Sequence, residues 1–201
     1  VFESILRKQK GQRGRRSIGL QLSTNLYRFV VIRLQRLSFK VALIDLTGNI
    51  LEETQHAIDA LQKPVHIFDM IVQETEKIFA DCSEAILGMG LTLPGPYLEQ
   101  SERILLMTGG PDWQEFDLVH RLREHFSNIP LYSKHDAKAA ALSVWKTQGV
   151  LEDSKVMLYL SAGQGIGAGL VINGEVFTGS QGIAGEIGHT SIKKDGPQCY
   201  C

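Results

Sequence analysis

The fold of this chain is decided by residues 27–58, which read YRFVVIRLQRLSFKVALIDLTGNILEETQHAI. Apolar, β-branched and aromatic residues dominate 27–35 and 39–48, a composition typical of strands. The two segments are joined tightly, and a Thr-Gly-Asn turn then leads into a third segment at 49–58, exposed on one face. The stretch therefore predicts three consecutive strands.

Helices and strands alternate after this opening. A helix begins at Pro64 and places Ile67, Ile71 and Ile78 on one face. The order β-β-β-α-β-α-β-α predicts an α/β fold in which helices pack on a mixed sheet. Its remaining elements are a buried strand at 85–95, an amphipathic helix at 116–126, a strand at 129–136 and an alanine-rich helix at 137–150.

A second pair of strands, at 155–177, looks like the opening repeated and hints at an internal duplication. A glycine turn, SAGQGIGAG (161–169), joins the pair. Such glycines can present backbone N–H groups to a phosphate. A strand follows this turn, whereas a helix follows the phosphate loop of dinucleotide-binding folds, so that class is excluded. A tight hairpin with glycines at bulges is the alternative.

The composition, 43% hydrophobic and 21% charged residues, is that of an ordinary globular protein. A net charge of −1 attracts the whole chain neither to nucleic acid nor to a membrane. No apolar run reaches the roughly 20 residues of a membrane-spanning helix, so we expect no membrane insertion. Three cysteines do not make a disulfide framework, which favours a reducing, cytoplasmic compartment.

Asp136 directly follows a predicted strand and precedes the alanine-rich helix. A carboxylate there faces the usual ligand crevice of an α/β sheet, and it could accept the proton of a sugar hydroxyl that attacks a phosphoryl group. Capping of the helix is the alternative role. Glu186 and His189, three residues apart, could converge on a polar ligand or could be ordinary surface residues.

The chain ends in GEIGHTSIKKDGPQCYC (185–201), where His189, Cys199 and Cys201 have the spacing of metal ligands. Thiolates and a neutral imidazole suit tetrahedral zinc, and a site closed by four protein ligands is structural rather than catalytic. On spacing alone, the segment is an incomplete cluster of possible metal ligands.

Four segments occur in the order and spacing of the ROK family (repressors, open reading frames and sugar kinases), which the chain resembles from about residue 12 onward. The resemblance implies an actin-like ATPase (ribonuclease H-like) fold that binds a sugar between two domains. It divides the chain into a basic linker (1–16), a first domain (17–135) and the start of a second domain (136–201). The segments are LGMGLTLPG (87–95), KHDAKAAAL (134–142), SAGQGIGAGLVINGEVFTG (161–179) and the terminal GEIGHTSIKKDGPQCYC.

The resemblance also assigns roles to residues. It makes Asp136 the general base of a kinase, and it places a fourth zinc ligand, a cysteine, a few residues past Cys201. The implied effector-binding residues are Gly95, His135, Asp136, Glu186 and His189, and the implied zinc ligands are His189, Cys199 and Cys201.

The positions that would hold nucleotide phosphates depart from the sugar kinases of the family. Those kinases carry a DxGGT-type loop, but the matching stretch here is Arg33–Leu37, where Arg replaces Asp and both glycines are gone. Gln164 stands where a hydroxyl residue is usual, and His135 replaces an Asn. A bulky, cationic hairpin keeps phosphates away from the backbone, so the departures argue against ATP-dependent phosphoryl transfer.

The basic start resembles the linker of the repressor branch. Residues 1–16 predict the remnant of a helix that runs into a flexible segment, and Arg13, Arg15 and Arg16 would lie near DNA phosphates. A solvated linker is the alternative. A winged helix-turn-helix, absent from this sequence, would precede it.

The resemblance thus implies a sugar-responsive transcriptional repressor that is not an enzyme. An ATP-dependent sugar kinase with Asp136 as base is the alternative, and a degenerate binding module is a third possibility. The implied partners are operator DNA, a sugar or sugar-phosphate inducer or a phosphotransferase-system protein, and further copies of the chain in a homodimer or tetramer.

Overall fold

The computed structural model describes residues 2–6, 18–107, 110–147 and 155–199. A mixed five-stranded sheet and a smaller antiparallel sheet organise them. In chain order the described elements are β1 (Phe2–Leu6), β2 (Ile18–Leu22), β3 (Tyr27–Gln35), β4 (Ser38–Asp45), β5 (Ile50–Ala57), α1 (Pro64–Asp81), β6 (Ala85–Leu93), β7 (Tyr97–Leu98), β8 (Arg103–Ile104), α2 (Leu118–His125), β9 (Leu131–His135), α3 (Asp136–Thr147), β10 (Val156–Ala162), β11 (Ile166–Ile172), β12 (Glu175–Phe177) and a 3-10 turn at Ile187–His189.

The main sheet has the strand order β5-β4-β3-β6-β9. The first three strands pair antiparallel, whereas β6 runs parallel to β3 and β9 runs parallel to β6. The predicted mixed sheet and its order of elements are therefore confirmed. Because β3, β6 and β9 are parallel, their carboxyl ends meet at one edge of the sheet, where α/β proteins bind ligands.

Helices α1 and α2 cover one face of this sheet, where alternate residues of β3 are fully buried. Ile32 and Leu34 point into that core with Ile67 and Leu122 from the two helices. Arg33, between them, is exposed on the other face because side chains of a strand alternate. Among the described residues, no helix is both long enough and apolar enough to cross a bilayer.

The smaller sheet, β10-β11-β12, is an antiparallel meander like the opening of the chain. Helix α3 packs on it so closely that a Cβ built on Gly169 would lie 2.5 Å from both the Ala137 carbonyl oxygen and the Ala141 Cβ. The glycine turn joins β10 and β11 as a hairpin, which was the alternative to a phosphate-binding turn.

The prediction of a helix remnant at the start of the chain is wrong for residues 2–6. These residues form β1, which pairs antiparallel with β2, Phe2 lying opposite Leu22. Pairing with the next strand satisfies the backbone groups that a helix would satisfy within itself, and the pattern of residues 2–6 alone does not reveal such a partner. The remaining basic residues, including Arg13, Arg15 and Arg16, lie outside the described residues.

Candidate functional site

A cavity of about 390 Å³ lies at the carboxyl ends of the parallel strands. Its walls come from the ends of β3, β6 and β9, the β10–β11 turn and the segment 186–189. All five residues that the resemblance assigned to the effector line this one cavity: Gly95, His135, Asp136, Glu186 and His189.

His135 is the central polar side chain of the cavity wall, and it is 3% exposed. Its Nε2 lies 3.5 Å from Asp136 Oδ1 and 3.6 Å from Glu186 Oε1. On the far side of Glu186, Oε2 lies 3.9 Å from His189 Nε2. Two carboxylates and two imidazoles thus form a continuous polar wall, which offers acceptors and donors to a ligand rich in hydroxyl groups.

Asp136 lies in the first turn of α3, inside the helix and not at its N-cap. It is the first residue of α3, and its Oδ1 accepts a hydrogen bond from the Ala137 N–H at 2.6 Å. A carboxylate in the first turn of a helix is stabilised by the helix dipole. The same side chain lines the cavity.

Gly95 makes room for this polar wall. A Cβ built on Gly95 would lie 2.5 Å from His135 Nε2 and 2.6 Å from Glu186 Oε1. Both distances are shorter than any ordinary non-bonded contact, so a side chain there would displace the imidazole or the carboxylate. The loop that follows β6 therefore needs glycine at this point.

The two glycines of the GEIGH segment let the 3-10 turn lie directly against β11. A Cβ on Gly185 would lie 2.2 Å from the Ala168 carbonyl oxygen, and one on Gly188 would lie 2.2 Å from that of Ile166. The Ala168 N–H also donates to the Gly185 carbonyl at 2.9 Å. This contact holds the backbone between the two glycines in place and thereby positions Glu186 and His189.

Lys138 is a structural member of the site that sequence reasoning missed. Lys138 is 1% exposed. Its Nζ donates to the Gly182 carbonyl oxygen and lies 3.5 Å from Glu99 Oε1. Glu99 Oε2 also accepts a hydrogen bond from Lys134 Nζ at 3.2 Å. This buried group ties the loop before the GEIGH segment to α3 and to the hairpin β7–β8. The only indication of this role in the sequence was a lysine within an alanine-rich helical face.

The hairpin β7–β8 is held to the main sheet by a second polar group. Tyr97 Oη and Ser133 Oγ lie 2.7 Å apart, and Ser133 also donates to Glu102, which pairs with Arg123. Burial raises the pKa of Tyr97 to about 12, so it remains protonated at neutral pH. The hydrogen bonds from Arg123 lower the pKa of Glu102.

The predicted zinc ligands are only partly within the described residues. Cys199 Sγ lies 3.3 Å from His189 Nδ1, whereas Cys201 lies outside them. Up to residue 199, the described part of the chain contains no cluster of three His, Cys, Asp or Glu side chains suited to a metal ion. A sulfur and a nitrogen bound tetrahedrally to one zinc, at about 2.3 and 2.0 Å, would lie about 3.5 Å apart. The His189–Cys199 pair therefore fits this metal.

The strand end that matches the kinase phosphate loop also lines the cavity. Arg33, Gln35 and Arg36 are among its lining residues. Sequence reasoning identified these residues as obstacles only, and it did not predict that they line the same cavity as Asp136 and Glu186.

Residues 30–201 match the ROK family. The xylose repressor of Caldicellulosiruptor bescii is 29% identical over 204 residues, which cover 100% of this chain and 50% of that protein. A glucokinase of Halalkalibacterium halodurans is 36% identical over 118 residues, 58% of this chain and 34% of that enzyme. The chain thus spans about half the length, or less, of these curated relatives.

Solved structures agree with this assignment. The crystal structure of a ROK family transcriptional regulator, described as a homologue of Escherichia coli Mlc, superposes with a TM-score of 0.75 at 25% identity. The match covers 92% of this chain and 46% of that one. The predicted actin-like ATPase fold is confirmed, and the chain belongs to the ROK family.

Proposed function

We propose that this chain is the sugar-binding body of a transcriptional repressor that controls genes of sugar uptake or use. The observation that carries the proposal is the composition of the cavity. Its polar wall suits sugar hydroxyls, but Arg33 stands where the kinase loop has an Asp, and Gln35 and Arg36 stand where that loop has glycines for nucleotide phosphates. The names of the xylose repressor and of the Mlc homologue support the same function.

Binding follows from the chemistry of the polar wall. The carboxylates of Asp136 and Glu186 accept hydrogen bonds from neighbouring hydroxyls, and charge-assisted bonds of this kind are among the stronger ones. His135 and His189 each offer a ring nitrogen as donor or acceptor. No bond of the sugar is broken. The sugar acts by its higher affinity for one arrangement of the protein, whose population it raises.

Zinc, in this proposal, holds the end of the chain against the sugar site. His189 Nδ1, Cys199 and Cys201 would be ligands together with a fourth group, and the metal would supply structural stability. His189 presents its other nitrogen, Nε2, toward Glu186. The same imidazole then serves the metal site and the sugar site, so loss of zinc should weaken sugar binding.

Replacement of a zinc ligand tests this site. We expect the complete protein to contain about one more equivalent of zinc than its Cys199→Ser variant, because a hydroxyl is a poor substitute for a thiolate ligand. Elemental analysis of the purified proteins measures the difference. Cys82→Ser is the matched control, since Cys82 lies at the end of α1, away from the cavity. Equal zinc contents in the wild type and Cys199→Ser would refute the site.

A sugar kinase with Asp136 as general base is the second candidate, favoured by one observation. Asp136 lies at the carboxyl end of β9 in the cavity wall, where a base could reach a sugar hydroxyl. The glucokinase among the relatives supports it as well.

An assay of ADP release separates the two candidates. With the complete protein, ATP, Mg²⁺ and a panel of pentoses and hexoses, we expect no sugar-dependent ADP release, since Arg33, Gln35 and Arg36 line the cavity in the stretch that matches the kinase phosphate loop. Calorimetry on the same preparation should nevertheless detect binding of at least one sugar. Sustained, sugar-dependent turnover that is abolished in Asp136→Asn would establish the kinase instead.

The proposal includes partners that follow from the repressor function. Operator DNA would be bound by a winged helix-turn-helix, close to Arg13, Arg15 and Arg16. Two or four copies of the protein would present such heads to DNA, and a sugar, a sugar phosphate or a phosphotransferase-system protein would change their placement. The location would be the cytoplasm.

A further inference from the structure

We infer that Lys138 is a positioning residue for the sugar, because its buried ammonium group holds the loop that leads to Glu186. The inference rests on the proposed function, since it concerns how the same site is held in its binding geometry. It assigns part of the sugar affinity to a side chain that does not itself line the cavity.

Lys138 is a buried cation in the first turn of α3. An ammonium group removed from water is costly unless polar groups replace its hydration. Two groups do so here. The Gly182 carbonyl oxygen accepts a hydrogen bond from Nζ, and Glu99 Oε1 lies 3.5 Å from the same atom. The bond to Gly182 is charge-assisted, and bonds of this kind are stronger than those between neutral groups. It therefore fastens the loop to α3.

The loop of residues 178–185 connects β12 to Glu186. Gly182 is buried, and only three residues separate it from Glu186. At the end of this short segment, the Gly185 carbonyl accepts a hydrogen bond from the Ala168 N–H at 2.9 Å. The backbone before Glu186 is thus held at two points, by Lys138 and by β11. Loss of the first point would let Glu186 move relative to His135, whose Nε2 lies 3.6 Å from Glu186 Oε1.

Glu99, in the hairpin β7–β8, holds the ammonium group from the other side. Its Oε1 has no hydrogen-bond partner among the residues that the structure describes, so the cation at 3.5 Å is what compensates the charge of this buried atom. Hairpin and loop also touch through their backbones, since a Cβ built on Gly182 would lie 3.3 Å from Glu99 N. Lys138 therefore ties the loop to the hairpin as well as to α3.

Lys134 offers an internal comparison with Lys138. Its Nζ donates to Glu99 Oε2 at 3.2 Å, so both lysines contact one carboxylate. Within the described part of the chain, Lys134 Nζ has no bond to the loop of residues 178–185. A role in positioning Glu186 is therefore expected of Lys138 and not of Lys134.

Sugar titration calorimetry on the complete protein tests the inference. Lys138→Met removes the ammonium group and leaves Glu99 paired with Lys134, so no unpaired carboxylate remains. We expect sugar affinity to fall at least about tenfold, as the loss of one charged hydrogen bond allows. Lys134→Met is the matched control, and its affinity should stay within about twofold of the wild type.

Double variants distinguish positioning of Glu186 from a general loss of stability. If Lys138 acts through Glu186, the affinity loss in Lys138→Met/Glu186→Gln should be at least about fivefold smaller than the product of the two single losses. In Lys138→Met/Asp136→Asn the losses should multiply to within about twofold, because Asp136 is held by α3 and not by the loop. General destabilisation would not single out Glu186.

Glu99→Gln keeps the test decisive if Lys138→Met does not fold. This variant removes the charge that holds the ammonium group, and its affinity loss should show the same dependence on Glu186. Unchanged sugar affinity in the folded variant, or losses that multiply with Glu186→Gln, would overturn the inference and leave a sugar-binding protein. Failure of every sugar to bind the wild type would overturn the proposed function and the inference together.

Discussion

Gly95→Ala is expected to reduce sugar affinity by about 100-fold while the protein remains folded. The added methyl group would lie 2.5 Å from His135 Nε2 and 2.6 Å from Glu186 Oε1. His135 is buried and cannot rotate away without displacing its neighbours, so the change disturbs both polar groups at once. Titration calorimetry with the best sugar of the panel measures the loss.

Gly90→Ala is the matched control for this variant. Gly90 lies in the same strand-and-loop segment, five residues earlier, and a Cβ there would meet only Val31 Cγ2, at 3.9 Å. We expect its sugar affinity to stay within about twofold of the wild type. An affinity of Gly95→Ala within threefold of the wild type, on the order of 0.6 kcal/mol, would show that the sugar does not contact this wall.

Gly185→Ala is expected to have the largest effect on stability, a loss of about 2–4 kcal/mol. Its φ is 99°, a left-handed conformation that an alanine adopts only with strain. In addition, the new Cβ would lie 2.2 Å from the Ala168 carbonyl oxygen, which belongs to a strand and cannot move freely. Urea denaturation of the purified variant measures the change in the free energy of unfolding.

Gly48→Ala separates the two causes. Gly48 has a similar φ of 86°, but a Cβ there would have no atom within 4 Å. We expect the free energy of unfolding of this control to fall by about 1 kcal/mol, the cost of the backbone strain alone. Equal losses in Gly48→Ala and Gly185→Ala would mean that the GEIGH segment does not press on β11 as the structure has it.

The main sheet was predictable because its strands carry their own local signals. Strand β3 buries Val30, Ile32 and Leu34 on one face, and this alternation is visible in the sequence. The helix start at Pro64 was also predictable from a local signal, since proline fits the first turn of a helix.

Short strands that depend on their partners more than on their own residue pattern escaped prediction. Strand β1 depends on β2. The two-residue strands β7 and β8 depend on contacts such as that between Tyr97 and Ser133. Strand formation of this kind reflects packing against neighbours more than the preference of the segment itself.

The candidate site was predictable residue by residue, but not as a set of distances. The resemblance identified Glu186, His189 and Asp136, and the fold brings them to one cavity. It did not show why Gly185 and Gly188 are needed, which depends on the approach of the 3-10 turn to β11. Nor did it show that Arg33 lines the same cavity, since that requires the order of strands in the sheet.

The central claim is that a sugar bound in this cavity controls attachment to DNA and is not chemically changed. Fluorescence anisotropy of the complete protein on its operator fragment, titrated with the sugar panel, tests it most directly. We predict that the sugar which binds in calorimetry changes operator affinity at least about fivefold, and that Gly95→Ala abolishes this response. Operator affinity that stays the same at saturating sugar, or a response that Gly95→Ala retains in full, would contradict the claim.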